Sequence, residues 1–113
     1  MISTIFGFAG MPNPVKISDP SSVIQAFAKR GQYNFVHHAR TRLDEREVTV
    51  SEVIQVILYG FHETRKDEFK PQLGDWNYAI RGKTLDGRVL RIVAAIKNEG
   101  FLVITVIDLE KQV

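Results

Sequence analysis

The segment Thr49-Val50-Ser51-Glu52-Val53-Ile54-Gln55-Val56-Ile57-Leu58-Tyr59-Gly60 carries a helical period up to its glycine, and past that glycine the period disappears. Thr49 and Glu52 have the spacing of a capping box, in which each side chain satisfies a backbone amide at the helix start. Val50, Val53, Ile54, Ile57 and Leu58 follow the i, i+3, i+4, i+7, i+8 stripe of a helix with one buried face, and Gly60 closes it. Upstream the pattern is also helical. Asp19-Pro20-Ser21-Ser22 reads as a helix start, with Asp19 accepting orphan amides and Pro20 at the first helical position, where its missing donor is harmless. Val23, Ile24 and Phe27 form that helix's stripe, and Gly31 stops it. Between these two, a helix is predicted from about Tyr33 or Asn34 to Arg46, with Val36, Ala39 and Leu43 facing the core.

Downstream of Gly60, Phe61 to Lys66 alternates loosely and reads as an edge strand, while residues 67–75, with Pro71 and Gly74, read as a loop. Trp76 to Lys83 is a strand, and Thr84-Leu85-Asp86-Gly87 is a turn. Arg88 to Lys97 is a further strand, whose apolar run on both faces suggests a central position. Asn98-Glu99-Gly100 turns the chain into the last strand, Phe101 to Asp108. Helices followed by an antiparallel meander predict an α+β fold, two or three N-terminal helices packed on a four-stranded, mainly antiparallel sheet. Residues 1–18, with Pro12 and Pro14, read as an N-terminal arm or partly ordered extension, and residues 19–113 as a single domain.

The composition narrows the chemistry. A chain of 113 residues, 44% hydrophobic and 25% charged, has room for one core; it can bury roughly 65% of its unfolded surface. With no cysteine, disulfides, thiolate zinc sites, iron–sulfur clusters and cysteine nucleophiles are excluded. No apolar run approaches the roughly 18 residues of a membrane span, and the apolar start Met1 to Gly10 lacks the positive charge of a secretory signal. A cytoplasmic protein is therefore expected. His37, His38 and His62 show no ligand spacing with carboxylates, so neither a metal nor a cofactor is expected.

The net charge of +2 conceals clustering. Between Lys29 and Arg46 five cations face Asp44 and Glu45, a local +3, and between Ile80 and Lys97 Arg81, Lys83, Arg88, Arg91 and Lys97 face Asp86 alone, a local +4. Such clusters attract polyanions, or else form a solvated face. The most unusual segment is His37-His38-Ala39-Arg40-Thr41-Arg42-Leu43-Asp44-Glu45-Arg46. On a helix His38, Arg42 and Arg46 climb one side beside the apolar stripe, and guanidinium forks match phosphate geometry. The competing interpretation is that Arg42 and Arg46 pair with Asp44, Glu45, Glu47 or acids of the sheet, and that His38 caps a neighbouring carbonyl. Arg81 and Arg91 share a sheet face only if the hairpin register allows it, and Arg91 is a charge within an apolar run. Trp76 and Tyr78 are either base-stacking aromatics or core.

The segment His38-Ala39-x-x-Arg42-Leu43-x-x-Arg46, followed by Val48-Thr49 and the helix to Gly60, resembles the HAxxRxxxR opening of a small prokaryotic family mostly labelled domains of unknown function. The resemblance continues through Tyr78-x-x-Arg81-Gly82, Asp86-Gly87-Arg88-x-Leu90, Val93-Ala94 and Val103-Ile104-Thr105-Val106, so that it covers about residues 35 to 110. That family is similar to the BrnT toxins and, more distantly, to the RelE and ParE superfamily of toxin–antitoxin systems, compact α+β proteins several of which are ribonucleases. The resemblance implies a RelE/ParE-like fold, a toxin-like domain that binds or cleaves RNA without metal, free or ribosome-bound RNA as target, and a cognate antitoxin as partner.

In RNA cleavage the 2′-hydroxyl loses a proton, the phosphorane gains charge and the departing 5′-oxygen takes up a proton. An imidazole at His38 can move a proton near neutral pH, and Arg42, Arg46, Arg81 or Arg91 can stabilise the phosphorane. His38, Arg42 and Arg46 are thus the candidate catalytic residues, with Arg81, Arg91, Arg88 and Lys83 as candidate RNA-binding residues. The alternative is a non-enzymatic module that uses the same scaffold to hold a protein or nucleic acid. A purely structural domain with ion-paired arginines is the third possibility.

Overall fold

The computed structural model describes residues 15–110. Most of the expected arm over 1–18 lies outside them. In chain order the elements are α1 (Pro20–Lys29), β1 (Tyr33–Phe35), α2 (His37–Arg46), α3 (Val50–Tyr59), β2 (Phe61–His62), a 3-10 turn (Thr64–Lys66), β3 (Glu68–Lys70), β4 (Asp75–Lys83), β5 (Val89–Lys97) and β6 (Gly100–Asp108). The α+β class and the three helices agree with the pattern of the sequence. Helix α1 starts where Asp19 accepts the Ser22 amide at 3.3 Å and the Ser22 hydroxyl at 2.7 Å. Helix α3 has the full capping box between Thr49 and Glu52.

The sheet has six strands rather than four, in the order β1-β6-β5-β4-β2, with β3 also on β4. Two added strands account for this, and one expected strand is shorter than its sequence suggests. The expected start of the second helix is instead β1, parallel to β6 with Tyr33 opposite Phe101 and Phe35 opposite Val103, and α2 begins at His37. The Tyr33 ring stacks on Phe101 at 5.5 Å between centroids and Phe35 enters the core, so the strand is created by a distant partner. The expected edge strand 61–66 shrinks to two residues, Phe61 opposite Arg81 and His62 opposite Ile80. The expected loop 67–75 contains β3, whose Phe69 meets Trp76 edge-to-face at 5.5 Å. All pairings except β1 with β6 are antiparallel.

Alternation sorts each long strand onto two faces. Tyr78, Ile80, Leu90, Ile92, Ala94, Phe101, Val103 and Val106 form one cluster with Ile24 and Ala28 of α1, Ala39 and Leu43 of α2, and Val53, Val56 and Ile57 of α3. The helices therefore cover one face. Register shifts between Val93, opposite Thr105, and Ala94, opposite Val103, so Ile104 is an extra residue in β6. This bulge keeps both Val103 and Val106 pointing inward although they are three apart. At the end of α3 the helix runs hard against β4. A Cβ on Gly60 would meet the carbonyl oxygens of Arg81 and Val56, and one on Gly82 would lie 2.9 Å from the Gly60 Cα. Gly60 is thus needed for this close approach as well as for ending the helix.

Candidate functional site

Helix α2 holds His38, Arg42 and Arg46 as the sequence predicts, with only Ala39 and Leu43 buried. His38 is exposed, and its side chain makes no hydrogen bond to a described residue. Arg42 reaches back to Glu45 at 2.6 Å, a surface pair three residues apart. That is the pairing the structural interpretation of this helix called for, and such an exposed pair leaves the guanidinium available to an anion. Arg46 is half-buried, and its Nε has no hydrogen-bond partner among the described residues. The helix ends with Glu47 in the left-handed conformation at φ 54°, its amide and that of Val48 bonding back to Asp44 and Leu43.

Arg88 stands apart from the other basic residues. One guanidinium nitrogen donates to the Arg46 carbonyl at 3.0 Å, another to Glu52 at 2.9 Å, and Nε lies 3.3 Å from Asp86. It ties the C-terminus of α2 to the N-terminus of α3 and to the β4–β5 hairpin. A cation there also meets the negative end of the α2 dipole. The backbone amide of Thr49 and the Arg88 guanidinium hold the Glu52 carboxyl below the usual glutamate range, against the opposing effect of burial. Lys83, at the end of β4, is exposed.

Arg81 and Arg91 face each other directly across β4 and β5. Their neighbours Ile80 and Ile92 belong to the helix-covered core, so the two arginines lie on the opposite face, away from α2. Both converge on Glu63. Arg91 grips it with two bonds of 2.7 and 3.0 Å, and Arg81 approaches at 3.3 Å. The hydrogen bond from Arg91 is the main reason that the Glu63 carboxyl is held below its usual range, and Glu63 in turn raises Arg91. The sequence offers no signal for Glu63 beyond its being an acid in a loose alternation.

A second group that sequence reasoning did not single out sits where β4 has a gap between β2 and β3. The Glu63 amide donates to the Ala79 carbonyl at 2.8 Å. The Ala79 amide donates not to a strand carbonyl but to Asp67 Oδ1 at 3.0 Å. The other oxygen of Asp67 accepts from His62 Nε2 at 2.7 Å and from Lys16 at 2.8 Å, and the carboxylate is wholly buried. Residues Phe61 to Lys66, with Arg81 and Arg91, line a cavity of about 550 Å³ beside this group. Among the described residues no three His, Asp or Glu side chains cluster so as to hold a metal ion, and no helix is long and apolar enough to cross a membrane.

Trp76 and Tyr78 resolve towards packing. Both contact the core, Tyr78 is 2% exposed, and its hydroxyl accepts the Ile17 amide at 2.9 Å. No curated protein matches the chain. From Phe35, where β1 hands over to the helix that carries His38, to Asp108 at the end of β6, the chain matches the family described as Domain of unknown function (DUF4258), and it belongs to that family.

Proposed function

We propose that this domain acts on RNA, as a toxin-like binder or metal-independent endoribonuclease of the BrnT and RelE/ParE kind, with α2 presenting His38, Arg42 and Arg46 to the phosphate backbone. The observation that carries the reading is the make-up of α2. Eight of its ten residues are exposed or half-buried, three are arginines and two are histidines, and its only ion pair among the described residues is Arg42 with Glu45. In this reading His38 moves the proton, and Arg42 and Arg46 stabilise the charge on the phosphorane. Arg81, Arg91 and Lys83 on the other face extend the path of the strand, and Arg88 supports the site from beneath. The test is expression of wild type and of the His38→Ala, Arg42→Ala double variant in a growth assay, with both proteins incubated with RNA, alone and with ribosomes. Growth arrest and cleavage by wild type alone are expected. Harmlessness and intact RNA for wild type defeat the enzymatic claim.

One observation favours a second reading, a module that holds a protein partner. Ile54 and Leu58 on the outer side of α3 line a shallow apolar groove with Tyr33, Val50, Tyr59 and Leu85. Tyr59 and Leu85 are 81% and 88% exposed. A toxin's antitoxin would have a place to dock there, and so would the partner of a domain with no catalysis. Salt-dependent RNA binding with intact product would favour the module.

A further inference from the structure

Lys16 and Ile17 stand outside the stretch that matches the family, yet they are seated on residues inside it. The Lys16 ammonium lies 2.8 Å from the Asp67 carboxylate and 4.8 Å from the centroid of the Trp76 ring, over its face. One residue on, the Ile17 amide donates to the Tyr78 hydroxyl at 2.9 Å. The apolar side chains of this segment do little to hold it, because Val15 is 92% exposed and Ile17 37%. Its printed attachments are one lysine head and one backbone amide.

The group that receives the lysine is built without it. Asp67 accepts the Ala79 amide with one oxygen and the His62 Nε2–H with the other, so the carboxylate is wholly buried and fixed from β4 and β2. Phe69 packs edge-to-face on Trp76 and sets the ring. An indole face that ends at a buried carboxylate is suited to an alkylammonium ion, since the ring attracts the cation and the carboxylate orients its head by charge-assisted hydrogen bonds. The site belongs to the family stretch and its occupant does not, so the two are separable in the chain.

From this geometry we infer that Asp67, Trp76 and Tyr78 form a recognition site for a lysine in an extended segment. Lys16 fills it from within the chain, and a lysine of a partner protein fills it when this strap lifts. Asp67 takes the ammonium, Trp76 faces the cation, and Tyr78 takes the amide of the residue that follows. His62 is a positioning residue that orients the carboxylate. A tethered occupant competes with a free one at an effective concentration in roughly the millimolar range, so the strap sets a threshold that a partner segment must exceed. Neither α2 nor RNA takes part.

The chain has a single tryptophan, so its indole N–H resonance reports on this site. The probe is the acetylated and amidated tetrapeptide Val15-Lys16-Ile17-Ser18, titrated into full-length Lys16→Ala. Saturable shifts of the Trp76 indole and the Ala79 amide are expected at roughly millimolar peptide, and wild type, whose own Lys16 competes, should need about tenfold more. The same peptide with norleucine for lysine loses only the charged head and should bind at least roughly tenfold more weakly. Asp67→Asn in the Lys16→Ala background, which keeps an acceptor for Ala79, should abolish the shifts. n-Butylammonium, a head and stem without a backbone, should bind more weakly than the peptide, and Tyr78→Phe should bring the peptide down toward it. Lys16→Gln is the second host should Lys16→Ala not fold. If a folded Lys16 variant shows no shifts, or the norleucine peptide binds equally well, the recognition site is overturned and Lys16 is a structural staple. Unfolding of both variants would overturn it in the same way. If n-butylammonium binds as tightly as the peptide, the site takes free alkylammonium ions and the role of an extended segment falls.

Discussion

His38 and His62 are the same side chain in opposite circumstances. His38 stands in solvent at the start of α2, in the segment whose sequence most invites a functional reading, and no described residue holds it. His62 belongs to a two-residue strand with no motif around it, yet a buried carboxylate fixes its ring and four cations line the cavity beside it. The difference teaches that local charge density and preorganisation are separate properties. A cluster along one helix concentrates charge that each side chain can redirect. A group fixed from several elements is already in position before a ligand arrives, which is where binding and catalysis gain most.

The contrast can be broken by mutation, beginning at the framework that both groups share. Ile92→Ala removes a side chain with no exposed surface from the helix-covered face and should cost about 2–5 kcal/mol. Arg91→Ala, one residue away on the other face, should cost clearly less. Urea unfolding measures both, and equal losses would mean that the outer face is as tightly built as the core.

Asp67→Ala comes next, because it leaves His62, Lys16 and the Ala79 amide without their acceptor. A loss of about 2–3 kcal/mol is expected. Asp67→Asn, which keeps an oxygen for Ala79, should lose less. If His38→Ala proved as destabilising as Asp67→Ala, the contrast between the two histidines would collapse.

Arg88→Ala should cost about 1–2 kcal/mol through its bonds to the Arg46 carbonyl and Glu52. Wild type and a charge-preserving Arg88→Lys would rank above it in thermal unfolding.

Acid sharpens the same point more gently. Glu63 and Glu52 both have folded-state values below their ordinary 4.5. Their ionised forms therefore stabilise the fold above that value, and the contribution is lost as pH falls through it toward the lower folded values. The unfolding midpoint should drop on acidification from about pH 5 downward, and Glu63→Gln should flatten part of that slope. The smallest effect belongs to Arg42→Ala. Its surface pair with Glu45 is worth at most about 0.5 kcal/mol, so any loss of RNA affinity in that variant reflects the lost charge and not unfolding.

Much of the fold was legible residue by residue. Asp19 and the Thr49–Glu52 pair cap the helices they were expected to cap, and the turns at Thr84–Gly87 and Asn98–Gly100 join the long strands as read. The sheet's edges were not legible. Tyr33 to Phe35 reads as the first turn of a helix by spacing, and only the Phe101–Val103 stretch of β6 makes it a strand. Of the candidate site, the α2 trio was placed correctly on one helix, whereas Arg81 and Arg91 proved to be on the other side of the sheet, gathered by a glutamate that no spacing rule marks.

The sequence by itself determined what depends on neighbours within about a turn: helix caps, the change of period at Gly60, the absence of thiol chemistry, and the concentration of Lys and Arg in two segments. It missed Val56, which the third helix buries, and Val50 of the expected stripe is exposed. Only the tertiary structure decided which of those charges are spent. Arg88 is consumed by the Arg46 carbonyl and Glu52, Arg91 by Glu63, and Lys16 by Asp67, while Arg65, Lys66 and His38 remain open. The reason is physical. A cap is satisfied by a partner three residues away, but whether an arginine meets a carboxylate 28 or 36 positions distant depends on strand register and on the face each side chain takes, and both are fixed only when the whole sheet has formed.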